Sequence, residues 1–195
     1  VLVVGVDDAM VHQRIRDRDL LRTSNGVELD AETLATHVAV AKAVKDYDLR
    51  RVISFHGRVK GAQAFATDHM DVLAWVRKQD RPSGTTFTDY VSGDMNSGER
   101  NTKINRLRHL GADERGILSN ARCLSEGVDV PSLDGVAFID PRKSQVDIVQ
   151  AVGRAIRKSE GKTHGTIVIP VFIDAEENKQ EALESSRFKP IWDVV

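Results

Sequence analysis

The chain has 195 residues, 41% of them hydrophobic, enough to bury the core of one globular domain. Its 28 basic and 29 acidic side chains leave a net charge of −1, which argues against a globally basic nucleic-acid binder but leaves room for a local basic face. One cysteine, Cys123, excludes an internal disulfide and a cysteine zinc site, and no apolar run is long enough to span a bilayer. These features fit a reducing cytoplasm, and the strand-like VLVVGV start without an initiator methionine suggests a piece excised from a longer protein.

In chain order, Val1–Val6 reads as a strand and Asp7–Thr23, with Ile15, Leu20 and Leu21, as a charged helix. Ser24-Asn25-Gly26 is a turn signal. Asp30 can cap a helix to about Lys45 that lines up Leu34, Val38, Ala41 and Val44. From here strand and helix alternate. Strands are expected at Arg51–Phe55, Thr85–Val91, Gly116–Ser119, Gly135–Ile139 and Thr166–Phe172. Helices are expected at Gly61–Lys78, Gly98–Leu110 and Gln145–Arg157. This alternation predicts an α/β, doubly wound, mostly parallel sheet whose ligands lie beyond the carboxyl ends of the strands. The expected division is 1–47 as strand and helices packing on or linking to the main domain, 48–174 as that domain, and 175–195 as a tail or linker.

The stretch QAVGRAIRKSEGKT, Gln150–Thr163, offers two ways to meet a nucleoside triphosphate. A P-loop ending in Gly161-Lys162-Thr163 would need a glycine where Ile156 stands, and here a helix precedes the motif and a strand follows it. The reading is therefore a helix-ending turn with Gly161 as the cap. No other P-loop and no Asp-Glu pair closing a strand occurs. The front of the stretch is different. Gln150, Arg154 and Arg157 fall on one helical stripe, with Ile148, Val149, Val152, Ala155 and Ile156 expected to pack on the sheet. Gly153 beside Arg154 makes room for a close neighbour, against a cost of about 1 kcal/mol in a helix interior. Spacing alone leaves two readings of the arginines: a solvated basic helix end, or a pair aimed at a γ-phosphate held by another domain.

QAVGRAIR resembles motif VI of superfamily 2 helicases of the DEAD/DEAH type, LSEGVDVP (Leu124–Pro131) resembles motif V, and VISFHGR (Val52–Arg58) resembles motif IV. VSGDMNSGER (Val91–Arg100) is similar to the strand end and helix start between motifs IV and V. The ordered set resembles the second RecA-like domain, over roughly Arg51 to Asp174, of bacterial helicases with a helicase-associated domain and of restriction-enzyme helicase parts. The resemblance implies that Arg157 is the arginine finger and Arg154 a second γ-phosphate contact. It places Gln150, Gly153, Gly127 and Asp129 on the ATP side. It places Ser54, His56, Gly57, Arg58, Gly93, Asp94, Ser119, Asn120 and Arg122 at strand ends that bind the nucleic-acid backbone. Ala151 stands where DEAD-box proteins often have a basic residue, Ile156 where they have a glycine, and the motif V threonine is not evident. These departures favour DNA over RNA.

The implied protein is thus the C-terminal motor domain of an ATP-dependent helicase or translocase. ATP and Mg2+ would be held mainly by an N-terminal RecA-like domain of the same polypeptide, so the isolated chain is expected to be inactive. No metal site of its own and no membrane association are expected. The six histidines show no metal-ligand spacing, Cys123 reads as a small buried residue, and Trp75 as core. Glu126 reads as a loop or motif VI ion-pair partner, and Arg142 and Lys143 as leaning on phosphates or solvent. A helicase-like fold used only as a DNA or protein docking module is the alternative, and the arginine pair is what such a module need not keep.

Overall fold

The computed structural model describes residues 2–5, 21–121, 123, 133–141, 144–155, 165–171, 181 and 184–194. Its elements in chain order are β1 (Leu2–Gly5), β2 (Leu21–Arg22), β3 (Glu28–Leu29), α1 (Ala31–Asp46), β4 (Arg51–His56), α2 (Val59–Trp75), β5 (Thr85–Ser92), α3 (Ser97–Arg108), β6 (Glu114–Ala121), β7 (Gly135–Phe138), α4 (Gln145–Ala155), β8 (Thr166–Val171) and α5 (Lys189–Trp192).

Six strands form one sheet in the order β1-β8-β7-β4-β6-β5, and every pairing in it is parallel. Parallel neighbours need crossover helices, and the strand–helix alternation supplies them. The inner strands β7 and β8 read as near-continuous apolar runs because both faces are covered, whereas the edge strand β5 is largely polar and half-buried. Along β4, Val52 joins Val40, Ala43 and Val44 of α1, Phe65 of α2, and Ile117 of β6 in one cluster. Its neighbour Ile53 faces the other way, with Leu118, Ile104 and Leu107 of α3, Ile148 and Ala151 of α4, and Phe188 and Ile191 near the end of the chain. The sheet is therefore wound on both sides, and the fold is the RecA-like α/β arrangement.

Within the first 47 residues, β1 joins this sheet and α1 packs on it. β1 runs beside β8, with Leu2 opposite Val168 and Gly5 opposite Val171. Helix α1 begins at Asp30, whose carboxylate accepts from the Thr33 amide at 2.7 Å and ties down one of the four donors a helix start leaves free. The charged helix expected to run to Thr23 is not continuous to that point. Leu21–Arg22 pairs antiparallel with Glu28–Leu29, closed by a loop in which Gly26 takes a φ of +77°. The turn signal was in the sequence, but two-residue strands carry too little alternation to announce themselves. Ser24 anchors this hairpin to α2, its amide and hydroxyl both donating to Asp71 at 2.8 Å.

The two ends of β4 are fastened to β7. At the amino end, Asp134 accepts from the Arg50 and Arg51 amides at 3.1 and 2.8 Å. At the carboxyl end, Asp140 accepts from the Gly57 amide at 2.8 Å. Among the described residues, no helix is long and apolar enough to cross a membrane.

Candidate functional site

Parallel pairing brings all the strand exits to one edge. His56 and Ser92 both register with Ala121, so β4, β6 and β5 finish at the same level. At about 5 Å per strand, the Gly57-Arg58 and Gly93-Asp94 exits lie about 10 Å apart, flanking the exit of β6. Arg58, Gly93 and Asp94 are exposed there, and Gly57 is half-buried. Arg58 starts α2 without a side-chain cap, and no acidic residue occupies the first turn of that helix. Asn96 starts α3 and accepts from the Glu99 amide at 2.8 Å. Arg122, at the third exit, lies outside the described residues.

Four of the residues assigned to the polymer surface have side chains that do not reach it. Ser54 and Ser119 are 0% exposed, Asn120 1% and His56 2%. Ser54 donates to the Ser119 hydroxyl at 3.0 Å and lies 3.0 Å from His56 Nε2. The alternation of β4 and β6 explains this, since Ser54 and Ser119 sit opposite one another on the face that carries Val52 and Ile117, beneath α1 and α2. Asn120 points to the other face, where its Oδ1 accepts from the Cys123 amide at 3.2 Å. These side chains set the strand ends from below, and surface contact falls to the loop residues beyond them. Cys123 is half-buried, and burial pushes its thiol up despite the opposing pull of the Arg100 guanidinium.

His56 also leads to something sequence spacing could not reveal. Its ring is tilted against Phe65 at 5.2 Å, and Phe65 stacks with both His37, at 4.2 Å between centroids, and His69, at 5.1 Å. The Nδ1 atoms of His37 and His69 are 3.0 Å apart, so one carries a proton and the other accepts it. Desolvation holds His69 down to about 4, and burial, with His69 and His56 close by, holds His37 well below its usual range. These two helices carry no sequence cue linking positions 32 residues apart.

On the other side of β4, α4 presents its candidate ATP face. Ile148 and Ala151 are buried in the core at 0% and 4% exposure. Val146 and Val149 are 64% and 56% exposed, and Gln150 and Gly153 are exposed as well. Val149 was expected to pack on the sheet; a step of about 100° per residue instead leaves it at the margin of the open stripe. Among the described residues, no atom beyond its own helix and chain neighbours lies within 4 Å of a Cβ built on Gly153, so none of them requires glycine there. Arg154 follows in the last turn of α4, while Arg157, Gly127, Asp129, Glu126 and the Gly161-Lys162-Thr163 stretch lie outside the described residues. Among the described residues, no three His, Cys, Asp or Glu side chains are grouped to hold a metal ion.

The family model for the helicase conserved C-terminal domain matches residues 37–159 of this chain. The chain belongs to that family. As a helicase C-terminal domain it resembles the second RecA-like domain of superfamily 2 proteins. It is 43% identical over 60 residues to the probable helicase A859L of African swine fever virus, an alignment covering 31% of this chain and 7% of that protein. It is 32% identical over 81 residues to the putative ATP-dependent helicase IRC3 of Saccharomyces cerevisiae, covering 42% and 11%. Among solved structures, the ATP-dependent Type ISP restriction-modification enzyme LlaBIII, bound to DNA, aligns with a TM-score of 0.77 and 29% identity. That alignment covers 98% of this helicase C-terminal domain and 13% of the enzyme, so the chain spans a small part of each of these relatives.

Proposed function

We propose that this helicase C-terminal domain is the second half of an ATP-driven motor that moves along DNA. ATP and Mg2+ sit on an N-terminal RecA-like domain of the same polypeptide, and the α4 stripe closes over them. Arg157 and Arg154 then meet the γ-phosphate, where fixed positive charge stabilises phosphoryl transfer. Gln150 and Gly153 line the closing face, with Gly127 and Asp129 at the ribose side. The exits at Gly57-Arg58, Arg122 and Gly93-Asp94 hold the sugar-phosphate backbone without reading bases. Each closure and release shifts the grip of one domain relative to the other.

The observation that carries this reading is the stripe of Val146, Val149, Gln150 and Gly153. Two exposed valines and a glycine with empty space above it are costly ornaments for a helix that faces only water. They make sense against a closely approaching partner. The LlaBIII likeness supports DNA as the polymer, since that enzyme is described as ATP-dependent and bound to DNA.

The test is ATP hydrolysis by the polypeptide carrying both motor domains, alone and with single-stranded DNA, duplex DNA or RNA. Stimulation by DNA is expected, and no turnover by this chain alone. Equal rates with and without any polymer would overturn the motor reading in favour of a docking module. Gly153→Ala separates the interface from the fold. Alanine should stabilise the isolated domain by about 0.5–1 kcal/mol through helix propensity. The same methyl should slow the stimulated ATPase roughly ten- to hundredfold by holding the two domains apart. A variant that gains stability and keeps full ATPase would show that α4 meets no partner at Gly153.

A further inference from the structure

The loop between β4 and α2 contains only Gly57 and Arg58, so the position of the Arg58 side chain follows the backbone of those two residues. That backbone is held from β7. Phe55 accepts from the Ile139 amide at 3.1 Å and from the Asp140 amide at 3.3 Å. The Asp140 carboxylate then returns the contact, its Oδ2 accepting from the Gly57 amide at 2.8 Å. A carboxylate acceptor makes this a charge-assisted bond, stronger than the ladder bonds beside it. A Cβ built on Gly57 would lie 3.6 Å from the same oxygen, an ordinary contact, so the link works through the amide rather than through a steric requirement for glycine.

Asp140 also stands at the entrance to α4. Pro141 follows it, with its φ fixed by the ring. Ser144 then opens the helix: its carbonyl accepts from the Ile148 amide at 3.1 Å and its hydroxyl from the Asp147 amide at 3.3 Å. One side chain therefore joins the segment that follows β7 to the loop that carries Arg58, although Asp140 is 83 residues from Gly57 in sequence.

We infer that Asp140 is a positioning residue that shapes the polymer grip by fixing the Gly57-Arg58 loop. The inference rests on the motor reading above. It assigns Asp140 no contact with ATP or DNA.

The experiment compares Asp140→Ala and Asp140→Asn with the parent in the polypeptide carrying both motor domains, titrating a single-stranded oligodeoxynucleotide into the ATPase assay. Asparagine keeps an acceptor oxygen at the same reach, and alanine keeps none. For the alanine variant, the oligonucleotide concentration giving half-maximal stimulation should rise about tenfold. Its ATP KM should hold within about twofold, since no contact to ATP is removed. Hydrogen exchange at the Gly57 amide should accelerate in the alanine variant, and asparagine should restore both readouts. A half-stimulating concentration unchanged in the alanine variant overturns the assignment while the motor reading stands. So does a loss of unstimulated and stimulated rates in step with a lower Tm, which would mark a purely structural role. A parent with no stimulation by the oligonucleotide overturns the motor reading and this assignment together.

Discussion

Replacing Arg157 by alanine is expected to reduce the DNA-stimulated ATPase by about 10³-fold or more while ATP still binds. The charge that develops on a transferring phosphoryl group is spread over oxygens that water alone stabilises poorly. A guanidinium fixed nearby offers planar donors and a permanent charge, and does so without reorganising. Arg157→Lys should recover little, because a lysine cannot reproduce the fork. The informative comparison is kcat against KM. An arginine that acts only in the transition state should lower kcat and leave ATP affinity nearly intact. An Arg157→Ala variant hydrolysing ATP like its parent would mean a solvated helix end, and the docking-module reading would replace the motor.

The second large effect concerns acid. The His37–His69 pair is buried and neutral, and the unfolded chain will protonate both rings more readily than the fold does. Stability therefore rises with pH wherever the unfolded state binds more protons. The contribution is complete above the ordinary histidine value of 6.5 and is lost as pH falls from there through about 4 for His69. For His69 alone this amounts to about 3 kcal/mol across the window. Asp68 works in the opposite sense. Desolvation, with Asp71 nearby, raises its carboxyl, so protonation there favours the fold as the solution becomes acidic. Glu114 contributes later: the Arg106 hydrogen bond, with help from the Gly111 amide, holds it down to about 2, so its share is lost between about 4.5 and 2. Urea unfolding at pH 7.5, 6 and 5 should show a falling free energy, and the double variant His37→Phe/His69→Phe should flatten that slope. Phenylalanine replaces both partners by apolar rings that can still stack on Phe65, so the variant should remain folded at neutral pH. An unchanged slope in the double variant would locate the acid sensitivity elsewhere.

Much of the architecture was readable from periodicity. Each strand from β4 to β8 was expected within a few residues of its place, because buried parallel strands leave short apolar runs bounded by turns. Helix α4 was readable too, from 3.6-residue spacing, and of its expected stripe Gln150 is described and exposed. The misreadings at the site share one cause: they concern which way a residue faces or what lies across from it. Ser54, His56 and Ser119 were assigned to the surface from motif position, yet they share a side of their strands with Val52 and Ile117 and so turn inward. Val149 counted as core because it is apolar, although its angle on the helix puts it beside the open stripe. His37 and His69, or Gly57 and Asp140, meet only after the chain has folded, and no local pattern announces a meeting over 32 or 83 residues.

The place of β1 has a practical side for anyone cutting this protein. The family match begins at residue 37, inside α1, and stops at 159. A fragment trimmed to those limits would lose β1 and β8 together, with the hairpin and the Asp30 cap. β7 would then become the outer strand, showing a bare row of amides and carbonyls along a side that β8 now covers. Such a row recruits other chains, so the trimmed fragment should self-associate more strongly than the full 195 residues. Sedimentation of the two side by side would reveal it, and a monomeric fragment would show that α4 alone shields the edge. Sequence resemblance marks where a family is recognisable; the sheet marks where the protein can be cut.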